Sequence, residues 1–103
     1  MKYRKFSDLG WRVSEIGLGC WQIGWCWGDI EDQDARKILK KALDNGVNFF
    51  DTSDTYGDGR SEKFLSEILK KSEDIYVTTK LGRRIRGTNY ARGYKHEPME
   101  EFI

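Results

Sequence analysis

At 103 residues the chain holds one domain at most, and a domain of that size buries roughly 60–70% of its unfolded surface. Hydrophobic residues make up 38% and charged residues 34%, a polar composition that still lies outside the disordered range. Eighteen Lys and Arg against seventeen Asp and Glu leave a net charge of +1, so bulk charge draws the chain to neither nucleic acid nor a membrane surface.

The N-terminal Met1-Lys-Tyr-Arg-Lys-Phe-Ser-Asp lacks the apolar centre of a signal peptide, and no apolar run approaches the ~20 residues of a membrane span. A cytoplasmic location is expected. The same segment predicts a hairpin: a strand from Tyr3 to Phe6, a Ser7–Gly10 turn, and a return strand from Trp11 to Val13. Glu15 to Gly19 is a short apolar run suited to a buried strand. It opens into a Gly- and Trp-rich loop from Cys20 to Gly28. Cys20 and Cys26 lack Cys-x-x-Cys spacing and have no His cluster nearby, so two free thiols are expected.

Ala35, Ile38, Leu39, Ala42 and Leu43 form one apolar stripe at helical period. Asp32 and Asp34 place negative charge at the start of that helix, and Asn45-Gly46 supplies a left-handed stop. Val47 to Thr52 reads as a continuous strand buried on both faces. Ser61 is the predicted N-cap of a second helix, with Phe64, Leu65, Ile68 and Leu69 on its inner face. Ile75 to Lys80 is the next strand. A hairpin followed by β-α-β-α-β defines the α/β class with a parallel sheet. Arg83 to Lys95 holds five cations, no acid and two tyrosines, and reads as a solvated loop. His96 to Ile103 reads as the opening turn of a third helix.

In parallel α/β sheets, functional groups gather at the carboxyl ends of the strands. Asp51 ends the second parallel strand, Lys80 ends the third, and Tyr56 lies in the loop between. Strands ~4.8 Å apart bring Asp51 within reach of Lys80. A lysine beside a phenol favours the phenolate, and a tyrosine so placed protonates a carbonyl oxygen as hydride reaches the carbon. Taken without their neighbours, the three residues fit equally a structural ion pair beside a packing tyrosine.

The surrounding segments add to the catalytic reading. Val13-Ser-Glu-Ile-Gly-Leu-Gly-Cys-Trp21, Gly46-Val-Asn-Phe-Phe-Asp-Thr-Ser-Asp-Thr-Tyr-Gly57 with Gly59-Arg-Ser-Glu62, and Val77-Thr-Thr-Lys-Leu-Gly82 resemble the aldo-keto reductase family, bacterial branch, almost continuously from Tyr3 to Gly82. The resemblance implies the N-terminal part of a (β/α)8 TIM barrel: a β-hairpin plus three parallel β-α steps, with the barrel incomplete. It implies NADP(H) as cofactor and a small aldehyde or ketone as substrate. Asp51, Tyr56 and Lys80 match three of the family's catalytic Asp, Tyr, Lys and His, with Tyr56 as proton donor. Gly19, Cys20 and Trp21 match the loop whose backbone lies near the nicotinamide ribose. The family's histidine ends the fourth barrel strand, which these residues do not include, and His96 is read as a surface residue. The 103 residues alone are therefore expected to be inactive. A non-catalytic module stands as the alternative, one that self-associates or pairs with a complementary barrel fragment. No metal is implied.

Other patterns carry less. Gly17-Leu-Gly19 starts like a dinucleotide fingerprint, but Gln22 stands where the third glycine belongs, and Asp51 lies well beyond the ~20 residues such a motif expects. The Arg83–Lys95 strip has the composition of an RNA-binding segment as well as of a loop. Trp21, Trp25 and Trp27 suit a substrate wall or a cap on the core equally.

Overall fold

The computed structural model describes residues 1–24 and 28–81, together with the backbone of two short strands at 83–85 and 94–96. The chain opens with β1 (Tyr3–Phe6) and β2 (Trp11–Ser14), paired antiparallel with Phe6 opposite Trp11. A 3-10 turn at Ser7–Leu9 joins them, and Gly10 closes it at φ 74°, a left-handed conformation glycine enters without steric penalty.

Three strands then form the parallel sheet, in the order β3 (Leu18–Gly19), β4 (Phe49–Asp51), β5 (Tyr76–Thr78). Helix α1 (Asp32–Asp44) follows β3, and α2 (Arg60–Leu69) follows β4. Each strand is shorter than the apolar run that predicts it, so Lys80 lies two residues past the end of β5. The ladder nonetheless continues: Thr52 N–H donates to the Thr78 carbonyl at 2.8 Å and Asp54 N–H to that of Lys80 at 3.2 Å.

Cys20, Ile23, Ala35, Leu39, Val47, Phe50, Phe64, Leu65 and Ile68 make the core, between one face of the sheet and the two helices. The predicted stripe of α1 is the face turned to it, with Ala35 and Leu39 fully buried. Gly46, at φ 85°, supplies the left-handed stop after the cap at Asn45. The expectation that β4 is covered on both faces is corrected. Phe50 is fully buried but Asp51 is exposed, because the described residues place helices on one face only.

The hairpin crosses the end of the sheet where β4 and β5 begin. Asn48 fastens it there, accepting from Ser14 N–H at 2.7 Å and donating to the Arg12 carbonyl at 2.9 Å. Trp11 stacks on Tyr76 at 4.9 Å between centroids.

Two further readings change. Ser61 is not the helix cap: Gly59 takes that place at φ 97°, and Ser61 is fully buried as the second residue of the helix. The segment from Arg83 to His96, expected as a loop, contains strands β6 (Arg83–Ile85) and β7 (Tyr94–His96), paired antiparallel with Arg83 opposite His96. The predicted third helix and the side chain of His96 lie outside the described residues, as do Trp25, Cys26 and Trp27. Among the described residues no helix is long and apolar enough to cross a membrane.

Candidate active site

The carboxyl end of the sheet brings Asp51, Tyr56 and Lys80 together. Lys80 Nζ donates to Asp51 Oδ2 at 3.1 Å and Oδ1 at 3.2 Å, and to the Thr52 carbonyl at 2.7 Å. It lies 5.2 Å from the centre of the Tyr56 ring. An ammonium has three protons to give. Asp51 and the Thr52 carbonyl accept from it, and the Tyr56 ring lies beside it. Both partners of the ion pair are about half exposed, 52% and 51%, so the pair lies open to an incoming molecule. Partial burial opposes the charge on Lys80. The hydrogen bond to Asp51 and the negative charges available on Tyr56 and Asp51 outweigh it, and hold the ammonium above its ordinary 10.5.

The loop carrying Tyr56 is held from below. Arg60, 11% exposed, donates to the carbonyls of Ile23 and Ile30 at 3.0 and 2.7 Å and to Asp32 at 2.8 Å, with its guanidinium over the Phe64 ring. Gly24 packs directly on the backbone of Tyr56 and Gly57: a Cβ placed on it would lie 2.3 Å from the Tyr56 carbonyl carbon. Ser61 N–H donates to the Tyr56 carbonyl at 3.1 Å.

The three residues expected near a cofactor divide. Gly19 is exposed, and a Cβ there would meet nothing within 4 Å, so its surface is open to a flat ligand. Trp21 is half-buried. Cys20 turns inward: it is fully buried, its N–H donates to the Asp51 carbonyl, its carbonyl accepts from Ser61, and its thiol donates to the Leu18 carbonyl. Burial, reinforced by the charge of Asp51 and opposed by that of Lys80, pushes the Cys20 thiol up to about 12. It is a free, inert core thiol.

Gly24, Ser61 and Thr78 also shape this site. They escape sequence reasoning because small polar residues and glycines resemble ordinary loop residues. The Gly-rich stretch after β3 is the one signal that points to Gly24.

Asp51 also borders an open groove of about 490 Å³ on the face of the sheet turned away from the helices, lined with Phe6, Val13, Gly17, Gly19 and Phe49. A second groove, of about 460 Å³, lies between α1 and α2, where Arg36 grips Glu67 and Arg60 grips Asp32.

A parallel β-α-β-α-β unit with an acid, a phenol and an amine on its carboxyl rim defines the class: the opening steps of a (β/α)8 barrel. The sequence matches the Aldo/keto reductase family over residues 15–102, and the chain belongs to that family. It is similar to the Aldo-keto reductase YhdN of Bacillus subtilis, 34% identical over 84 residues, which cover 78% of this chain and 25% of the relative. It is similar to the L-galactose dehydrogenase of Arabidopsis thaliana, 32% identical over 107 residues covering 100% of this chain and 34% of that protein. Among solved structures, the aldo-keto reductase AKR11C1 of Bacillus halodurans, in its holo form, superposes with a TM-score of 0.78 at 33% identity. That match covers 99% of this chain and 32% of the other. The chain thus spans about a quarter to a third of the length of such relatives, and its fold is the N-terminal part of their barrel.

Proposed function

We propose that these residues supply the proton-transfer side of an NADP(H)-dependent reduction of aldehydes or ketones to alcohols. The observation that carries the reading is the placement of Lys80 between Asp51 and the Tyr56 ring. Tyr56 gives its hydroxyl proton to the carbonyl oxygen. Lys80 stabilises the phenolate left behind, and Asp51 keeps Lys80 charged and aimed. When bound, the reduced nicotinamide supplies the hydride to the carbonyl carbon, so one hydride and one proton convert carbonyl to alcohol. The open surface at Gly19 and the half-buried Trp21 fit an approaching nicotinamide, whereas Cys20 contributes by holding the loop from within. His96, in β7, is not the fourth member of the site, and turnover requires the remaining barrel strands.

The experiment is a fluorescence titration of the purified chain with NADPH, with light scattering in the same buffer, followed by an assay with a simple aldehyde. The 103 residues alone are expected to show no turnover. Joined to the remaining strands, the protein turns over, and Tyr56→Phe lowers the rate by about 10²–10⁴-fold. An unaffected Tyr56→Phe variant sinks the assignment.

A second reading has one observation in its favour. Among the described residues, the outer edges of β3 and β5 carry no further strand. Such edges invite pairing, and a complementary barrel fragment or a second copy would cover them. Light scattering that shows a monomer at high concentration removes the self-association version.

A further inference from the structure

Asp51 has a neighbour on each side within the sheet. Parallel register sets it beside Gly19 of β3 and Thr78 of β5. Gly19 offers it no side chain. Thr78 offers a hydroxyl, and its Oγ1 donates to Asp51 Oδ1 at 2.8 Å. Among the described residues, the carboxylate is therefore held by two side chains: Lys80, which shares both oxygens, and Thr78, which takes Oδ1 alone.

These donors differ in rigidity. Lys80 reaches the carboxylate along a flexible stem. Thr78 is β-branched, stiff about χ1, and set by a strand whose backbone pairs with β4. A carboxylate half open to water turns freely unless something fixes it. The rigid neighbour is the one that fixes it.

We propose that Thr78 is a positioning residue: its hydroxyl orients the Asp51 carboxylate so that it grips Lys80 and aims the ammonium at Tyr56. The proposal rests on the proton-transfer reading above. Without the hydroxyl, Asp51 swings toward solvent, and Lys80 keeps the Thr52 carbonyl but loses its charged partner.

The titratable groups facing Lys80 are Asp51 from β4, Tyr56 from the loop after it, and the buried Cys20 beyond Asp51. Glu62 of α2 accepts from Thr79 instead. The test follows the Lys80 side chain by NMR, in the full chain with ¹³C-labelled lysine, as pH rises. Wild type is expected to titrate above 10.5, Thr78→Val to titrate below wild type, and Thr78→Ser to stay with wild type. Thr78→Val titrating with wild type overturns the proposal, and so does Thr78→Ser titrating with Thr78→Val. If the valine variant does not fold, Thr78→Ala takes its place with the same two outcomes. The readout needs neither cofactor nor turnover. Failure of the chain joined to the remaining strands to reduce a carbonyl therefore counts against the functional reading, and the Lys80 titration judges Thr78 separately.

Discussion

Thr52 Oγ1 donates to Ser61 Oγ at 2.8 Å, and Ser61 passes the bond on to the Cys20 carbonyl at 3.2 Å. Thr52, Ser61 and Cys20 are all closed to solvent. This short chain ties the end of β4 to the start of α2 and to the loop after β3, directly beneath the rim where Lys80 meets Asp51. Two hydroxyls thus do in the interior what two apolar residues would do less selectively: they fix the distance between three elements.

Ser61→Ala leaves the Thr52 hydroxyl and the Cys20 carbonyl buried without their partner. The expected cost is about 2 kcal/mol, read from the urea midpoint. Adding Thr52→Val to Ser61→Ala removes one orphaned group. The double variant should therefore lose less than the two single losses added together, and full additivity would show that the hydroxyls act independently.

Gly24 lies against the backbone that carries Tyr56. Because the clash in Gly24→Ala is with main chain rather than a flexible side chain, the loop must move. We expect a loss of about 3 kcal/mol and a displaced Tyr56 ring, seen as lost NMR contacts between that ring and Lys80. Wild-type stability in Gly24→Ala would mean that the two loops separate easily.

Arg60 should not tolerate lysine. Its fork spans two carbonyls and a carboxylate while its plane lies on Phe64, a set of contacts that a single ammonium does not reproduce. Arg60→Lys and Arg60→Ala are both expected to lower stability, with alanine costing about 3 kcal/mol. A lysine variant melting with wild type would reduce Arg60 to a surface ion pair.

Stability should fall at alkaline pH. The unfolded Cys20 thiol ionises near 9.0, whereas the folded one stays protonated up to about 12, so the folded state loses ground as pH rises between those values. Lys80 acts in the same direction: its raised value gives stability that is present below 10.5 and lost as pH climbs through the folded value. Urea midpoints at about pH 8 and about pH 10.5 should show the fall, and Cys20→Ala should flatten it in part. In a Cys26→Ser background, Cys20 should resist alkylation at neutral pH until the chain unfolds.

Much of this molecule is legible from local pattern. The stripe from Ala35 to Leu43 and the Asn45-Gly46 stop define α1, because helical period and glycine's left-handed freedom are properties of a few neighbouring residues. The hairpin is legible for the same reason, and the structure adds its register, with Phe6 opposite Trp11. Asp51, Tyr56 and Lys80 are legible as a set because strand-end positions and the segments around them carry the signal. Strand lengths are not: apolar runs continue past the residues that pair. The β6–β7 ribbon is missed because composition suggests a loop while pairing depends on partners on the far side of the intervening segment.

Tertiary structure decided the rest. Whether Ser61 caps a helix or bridges Thr52 and Cys20 depends on which way α2 enters the sheet, and sequence spacing holds no such angle. Whether Cys20 faces a ligand or the core depends on which side of β3 is covered. Thr78 reaches Asp51 only through a register set by two strands far apart in sequence. By itself the sequence determined the elements, the family's motifs and the three chemical groups of the rim, because these are written in local order. Only the folded chain decided which small polar residues hold those groups in place, because hydrogen bonds a few ångströms long are made between segments that meet on folding.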